Sequence, residues 1–473
     1  MISDRSIEHL VEPCSHELGT KGTVFRYYDP NFLQTLQNRT PIPQSRRSNL
    51  DPTSLRQLIY TSGTTGLPKA TVMSTGRMLN TSQSIAAYLN LQPSDKMHTC
   101  LPLYHGAAQG LYLWPCIHAG ASISLSRKFS HKTFWPEVCA SGANILQYVG
   151  ELCRYLVNAP AHPLERRHRV SMAWGNGMRP DVWERFRQRF GIRTINELYA
   201  ATDGMGSTLN RNEGEFTRSA IGLRGAIWHY RNGGAEVRVR IDVDTEEIVR
   251  GTDGFAIKCP VGEPGEVLHK VEPEMKVAAF AGYYNNAAAS EKRWMENVFE
   301  PGDLWFRSGD VMRQDADGRV YFVDRLGDTF RWKSENVSTN EVSDVLGAFA
   351  QIDECNVYGI AVPNADGRCG CAAVVLKQGV TTQSLDLPGL TRHMLGSLPR
   401  YAVPIFLRIT PALSYTGTFK IQKGAAKKEG ANWDLINKAS CGDHLYWLPP
   451  NTDCYTIYRK EDWQKLENGQ VKL

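Results

Sequence analysis

Between Tyr60 and Lys69 the chain reads Tyr-Thr-Ser-Gly-Thr-Thr-Gly-Leu-Pro-Lys, with Thr61, Ser62, Thr64 and Thr65 set around Gly63 and Gly66. Glycines let a backbone fold closely round a ligand, and hydroxyls with exposed amides can cradle phosphate oxygens. Lys69 supplies a mobile positive charge for the same group. The string is not the Walker pattern, because its lysine follows Leu67-Pro68 and no Gly-Lys-Ser/Thr is present. The plain alternative is a solvated Ser/Thr/Gly loop. The chemistry this run suits is the holding of phosphates.

Such a loop must hang on regular elements. Leu58–Tyr60 reads as a strand entering it and Ala70–Met73 as a strand leaving it, with a helix following through Met78, Leu79 and Ile85. Residues 121–126 and 144–149 are further strand candidates. The alternation from Ala235 to Val267 suggests a small antiparallel sheet or barrel. Ser338-x-x-Glu341 is a capping box, and Val342, Val345, Leu346 and Phe349 then recur at helical spacing. Strands are expected at 356–362, 372–377 and 405–409. The fold class is α/β. A boundary near Gly327 separates residues 1–326 from a compact α+β region, 327–473.

Composition narrows the classes. Of 473 residues 42% are hydrophobic, enough for a sizeable core, so disorder is excluded as the main state. Net charge is only +5 and no block of like charge stands out, which argues against a nucleic-acid partner. Eleven cysteines show no regular spacing, and Cys369-x-Cys371 lacks a second pair to complete a zinc site. Buried reduced thiols in an intracellular protein are expected. The N-terminus has no cationic region followed by an apolar core, and the uncharged stretch His105–Ser126 is broken by glycines and Pro115. Neither a secretory signal nor a membrane span is expected.

Several other strings follow the loop in order: LPLYHG (101–106), QYVGELCRYLVNAP (147–160), WGNGMR (174–179), RSGD (307–310), DRLGDTFRWKSENVSTNEV (324–342) and TGTFKIQK (416–423). With YTSGTTGLPKA they make the chain similar to the adenylate-forming acyl-CoA synthetase superfamily. It resembles most the fatty acid transport protein, or very-long-chain acyl-CoA synthetase, branch. The resemblance implies a large N-terminal adenylation domain, here N-terminally shortened relative to that branch, and a small mobile C-terminal lid. It implies activation of a long-chain or other lipophilic carboxylic acid by ATP and Mg²⁺ through an acyl-adenylate, then transfer to coenzyme A. A polyketide-derived or other specialised acid is the alternative substrate, and a non-catalytic lipid-handling relative the alternative function. Peripheral membrane contact fits the same resemblance.

Roles carry over by motif. Thr61 to Lys69 would hold the β and γ phosphates. Gly175, Asn176 and Gly177 would line the adenine pocket, Tyr199 would stack on adenine, and Thr202 would touch the α-phosphate. Asp203 stands where the family has a Mg²⁺-binding glutamate, one methylene (about 1.5 Å) longer. Ala200 replaces a glycine. Asp310 would accept both ribose hydroxyls and Arg325 would contact the adenylate. Gly327 falls at the hinge. Lys420 would reach the carboxylate and α-phosphate in the first step, and Arg331 would face the site only in the second. Ser334 lies beside the coenzyme A tunnel, where relatives often have glycine. His105 borders the acyl pocket, where a packed histidine is expected rather than an acid–base catalyst. The ending Val471-Lys472-Leu473 resembles a peroxisomal address, so the location expected is cytoplasmic or peroxisomal.

Overall fold

The computed structural model describes the chain apart from residues 1, 5–7, 21–25, 29–42, 47–49, 62–68, 243–244, 334, 366, 416–420 and 440–441. Two compact units are present, Met1–Asp51 and Pro52–Leu473. In the first, β1 (Ile2–Asp4) pairs in parallel with β2 (Arg26–Tyr28), and a helix spans Glu8–Thr20.

The second unit opens with β3 (Leu55–Thr61) and β4 (Lys69–Ser74), antiparallel, with Thr61 opposite Lys69. Both ends of the glycine-rich run are thereby held side by side. β4 leads straight into the helix Thr75–Leu89, where the Ser74 hydroxyl accepts from the Arg77 amide and fills one of the free donors of the first turn. Ile85, Ala86 and Leu89 make its buried face, and Asn90 ends it in the left-handed region at φ 51°.

A six-stranded sheet follows, built from β5 (Lys96–Thr99), β6 (Ser122–Leu125), β7 (Ile145–Val149), β8 (Met172–Asn176), β9 (Thr194–Tyr199) and β10 (Thr208–Asn212). Its order is β10-β9-β8-β7-β5-β6, and only the β9/β10 pair is antiparallel. β7 and β9 are buried along almost their whole length, as strands of a parallel sheet covered on both faces should be. Trp135, Trp183, Phe186 and Phe190 pack one face from flanking helices.

On the uncharged stretch, a short helix at Gly106–Ala108 widens into a π turn at Gln109–Leu113 before the helix Trp114–Ala119. Pro115 has no amide to give the Leu111 carbonyl four residues back; the Trp174 indole donates to it instead, at 2.7 Å. No helix among the described residues is long and apolar enough to cross a membrane.

The second sheet is antiparallel and comprises β11 (Gly222–Leu223), β12 (Glu236–Val239), β13 (Gly265–Val271), β14 (Trp294–Glu296), β15 (Leu304–Gln314) and β16 (Arg319–Arg325). Its order is β11-β16-β15-β13-β12, with β14 added to β15. The alternating stretch from Ala235 thus forms part of a larger sheet. Beyond it, β17 (Phe330–Trp332) and β18 (Glu335–Val337) make a hairpin. The remaining strands, β19 (Ile352–Ile360), β20 (Cys369–Leu376), β21 (Phe406–Ile409), β22 (His444–Trp447) and β23 (Thr456–Ile457), form a sheet in chain order. Residues from Phe330 to Leu466 share one apolar core, in which Cys369 and Cys371 are buried free thiols.

The Ser338 hydroxyl caps the helix Thr339–Gly347 by accepting from the Glu341 amide at 3.2 Å. Among the described residues the return bond expected of Glu341 is not made. Asp324, at the end of β16, satisfies other donors of the same turn: its buried carboxylate accepts from the amide and hydroxyl of Thr339 and from the Asn340 side chain. Ion pairs and hydrogen bonds also join the regions before and after residue 327, with Arg179–Asp344 at 3.3 Å and the Asn158 amide donating to Asp353 at 2.7 Å.

Candidate active site

Ends of the two large sheets supply the functional side chains. Tyr199 is the last residue of β9 and Asp310 lies in β15; the Tyr199 hydroxyl donates to Asp310 Oδ2 at 2.5 Å. The other face of that pair is set by strand register. Asp310 stands opposite Arg325 across β15/β16, and their charged groups lie 3.7 Å apart. Burial pushes the Asp310 carboxyl above its ordinary range, against the pull of Arg325 and the Tyr199 hydroxyl. Burial, helped by Asp310, pushes the Tyr199 phenol well up too, so the tyrosine stays a neutral donor. Its ring stacks at 6.2 Å on Phe322.

Thr202 and Asp203 follow β9. A side chain at Gly106 would come within 2.7 Å of the Thr202 hydroxyl, so this glycine lets the Gly106–Ala108 helix close on the threonine. His105 caps that helix, its Nδ1 accepting from the Ala107 amide at 3.0 Å, which is a structural role.

Asp203 accepts from the Tyr283 hydroxyl through Oδ2. Burial works to raise its pKa, but Arg293, the Tyr283 hydroxyl and Arg325 outweigh it and hold the carboxyl below the usual range. Tyr283 in turn lies under the Lys69 ammonium, 5.0 Å from the ring centroid. Lys69, Tyr283 and Asp203 therefore form a continuous line from the end of the phosphate-loop candidate to the end of β9. Arg293 spreads positive charge over both Asp203 and Asp310. Its guanidinium lies 4.7 Å from the Phe306 ring and donates to the Ser308 carbonyl at 3.2 Å.

Gly175 and Asn176 end β8, and Gly177 follows at φ +78°. There is no room for larger residues here: a Cβ on Gly175 would sit 2.1 Å from the Tyr148 carbonyl oxygen. Glu197, from the neighbouring β9, fastens this loop. It accepts from the amides of Gly177 and Met178, and the Tyr148 hydroxyl lies 2.5 Å from it. Burial pushes Glu197 up to about 8. The Asn176 side-chain oxygen is buried with no partner among the described residues, a vacancy for a ligand N–H.

Beside Ala200–Gly204 opens a cavity of about 600 Å³. Ile85, Leu111, Leu198, Leu209 and Val277 give it apolar walls, and Arg77 projects from the helix Thr75–Leu89. That volume lies within the roughly 300–1,000 Å³ of small-molecule sites.

Of the residues expected at the site, Lys69, Thr202, Asp203, Tyr199, Asp310 and Arg325 stand on these converging ends, and Gly175–Gly177 sits one strand away. Thr61 faces Lys69 across the hairpin. Ser62, Gly63, Thr64, Thr65, Gly66, Ser334 and Lys420 lie outside the described residues. Gly327 has φ +81°, and its carbonyl accepts from Lys427 at 3.0 Å. Arg331 stands on the β17–β18 hairpin. Sequence reasoning missed Arg77, Glu197, Tyr283 and Arg293. Glu197 lies only two residues before Tyr199 in the sequence; the others carry no local signal, because their partners are far away in the chain.

The model of the AMP-binding enzyme family matches residues 2–284, and that of the AMP-binding enzyme C-terminal domain matches 341–420. A very long-chain fatty acid transport protein of Cochliobolus heterostrophus is 56% identical over 475 residues, covering 100% of this chain and 73% of its own. A medium/long-chain fatty-acid–CoA ligase of Mycobacterium tuberculosis is 38% identical over 416 residues, covering 87% of this chain and 65% of its own. In fold, the crystal structure of an anthranilate CoA ligase with anthranoyl-AMP matches at a TM-score of 0.70 and 19% identity, over 93% of this chain and 78% of that one. The chain belongs to the AMP-binding enzyme family, among its AMP-forming, ATP-consuming acyl-CoA ligases. Among its relatives are proteins named for fatty acid transport, at 56% and 37% identity, and an isopenicillin N epimerase component 1 of Hapsidospora chrysogena, 42% identical over 86% of this chain and 68% of its own.

Proposed function

We propose that this ligase activates a long-chain or similarly lipophilic carboxylic acid, first to its acyl-adenylate and then to its coenzyme A thioester. The observation that carries the reading is the convergence of Lys69–Tyr283–Asp203 and Tyr199–Asp310–Arg325 on one end of the two sheets, beside an apolar-walled cavity.

A carboxylate is a poor acyl donor because oxide would have to leave; adenylation substitutes a leaving phosphate ester. Catalysis of that step is mainly positioning and cationic stabilisation. Lys69 and the loop from Thr61 hold the outer phosphates, Thr202 faces the α-phosphate, Tyr199 stacks on the base and Asp310 accepts from the ribose diol. The unpartnered Asn176 oxygen suits the exocyclic amine of adenine. Asp203 fits Mg²⁺: it is a hard oxygen donor kept ionised, with one oxygen not taken by Tyr283. Among the described residues no cluster of three metal-ligating side chains exists, so phosphates and water would complete the shell, as Mg²⁺ favours. The ion would supply charge neutralisation on the phosphates.

The region from Gly327 is the proposed lid. Lys420 and Arg331 would serve the first and second steps, with Ser334 beside the incoming thiol. Lys420→Ala should slow adenylation by roughly 10²-fold and leave thioester formation from preformed acyl-AMP nearly unchanged. The peroxisomal reading rests on the ending Val471-Lys472-Leu473. Val471 and Leu473 pack on the C-terminal core, so an import receptor would have to peel them away.

The test is pyrophosphate release by the purified protein with Mg-ATP and a panel of acids, with and without coenzyme A. Acid-dependent release with acyl-CoA appearing supports the ligase, and the panel ranks its acids. No release across fatty and non-fatty acids by folded protein refutes it.

A further inference from the structure

The cavity wall holds one cation with nothing to neutralise it locally. Arg77 lines the cavity from the first turn of the helix Thr75–Leu89, and its Nη2 donates to the Gly204 carbonyl at 2.9 Å. Among the described residues no carboxylate lies within ion-pairing distance of it. Its hydrogen bond to Gly204 holds the guanidinium beside the residue that follows Asp203; burial lowers its pKa and Asp203 acts the other way. A half-buried guanidinium whose one acceptor among the described residues is the Gly204 carbonyl costs desolvation energy unless an anion joins it. Gly204 is one residue from Asp203 and two from Thr202, so the cation stands at the cavity's reactive end.

Charge balance at that end calls for such a group. A substrate carboxylate approaching the α-phosphate meets two negative charges, the phosphate and Asp203. Lys69 and Arg293 rest against the rings of Tyr283 and Phe306, and neither lines the cavity. Arg77 alone, among the described cations, opens onto the cavity.

We propose that Arg77 receives the carboxylate of the acid and turns it to the α-phosphate, an inference that rests on the ligase reading above. The acid arrives as its anion, so no general base is needed. One carboxylate oxygen attacks the α-phosphorus, the bond from that phosphorus to the bridging oxygen breaks, and pyrophosphate leaves with the electron pair. The product is a mixed anhydride without the carboxylate charge, so Arg77 holds the acid more tightly than the acyl-adenylate. It grips what enters and loosens its hold on what must go forward to coenzyme A.

Two variants test this: Arg77→Gln, which keeps a donor for the Gly204 carbonyl but loses the charge, and Arg77→Lys, which keeps the charge but loses the fork. In Arg77→Gln the KM for the acid should rise roughly 10- to 100-fold, the loss of a hydrogen-bonded charge pair. The KM for ATP should stay within about twofold, and thioester formation from preformed acyl-AMP should match wild type; Arg77→Lys should fall between. Direct binding supplies a readout independent of turnover: dodecanoate should bind wild type more tightly than dodecanol does, and Arg77→Gln should erase the difference. Equal loss in both half-reactions, a rise in the KM for ATP instead, or no preference for the carboxylate overturns the proposal. Absence of pyrophosphate release by wild type with the binding preference intact overturns the ligase reading and leaves Arg77 as the carboxylate site.

Discussion

Tyr283→Phe isolates one oxygen atom at the centre of the site. The ring stays, and with it the packing of a residue only 6% exposed and the Lys69 contact at 5.0 Å. What goes is the hydroxyl that donates to Asp203. A hydrogen bond to a charged group is worth about 1.5–3 kcal/mol, and the lower end applies because Arg293 and Arg325 still act on the carboxylate. With about 1.4 kcal/mol to each factor of ten, kcat/KM for ATP should fall about tenfold. The sign of the pH effect is fixed as well. Asp203 is held below its unfolded value, so it supports the site above that value and loses its charge as pH falls through the folded one. Without the hydroxyl that folded value rises, and the acid limb of the kcat/KM profile should move towards neutral pH. The assay is pyrophosphate release across the acid range for wild type and variant, with melting curves to confirm equal folding. A variant with wild-type kcat/KM and an unmoved acid limb would show that Tyr283 does not hold Asp203 in the working enzyme.

Glu197→Gln should change how stability depends on pH. Burial raises the folded value to about 8, so between about 4.3 and 8 the native state keeps a proton that the unfolded state gives up, and stability drains as pH rises. The variant lacks that slope, so its Tm relative to wild type should improve steadily from about pH 5 to 8; parallel Tm profiles would contradict the assignment. Arg408 is 7% exposed and pairs with both Glu429 and Asp443. Arg408→Met leaves two carboxylates facing each other and should cost about 3–5 kcal/mol, read as a lower urea midpoint that recovers partly at acid pH, where they protonate. Gly175→Ala drives a Cβ to 2.1 Å from the Tyr148 carbonyl, forcing β7 and β8 apart. It should cost about 1–3 kcal/mol and weaken ATP binding, measured by calorimetry, far more than Gly214→Ala, which meets nothing within 4 Å.

Local pattern made much of the fold legible. The strands either side of the glycine-rich run, the helix after it, and the β19, β20 and β21 segments all fell where hydrophobic periodicity placed them, because burial on one face imposes a repeat of 2 or 3.6 residues on the sequence itself. Boundaries and partners were less legible. The cap at Ser338 was visible, but the next amide of that turn, Thr339, is satisfied by Asp324, from a strand fourteen residues before Ser338, and nothing in a four-residue pattern announces that.

The sequence by itself determined the chemistry on offer: a hydroxyl- and glycine-rich loop with a lysine, a Tyr-x-x-Thr-Asp segment, an Asp and an Arg on strands that would prove adjacent. Tertiary structure decided which of these meet. Tyr199 and Asp310 are 111 residues apart, Asp203 and Tyr283 are 80 apart, and Arg77 and Gly204 are 127 apart. Such pairs depend on the order of strands within each sheet and on how one sheet abuts the other. The residues that meet need no regular spacing along the chain, only the shared end of the two sheets.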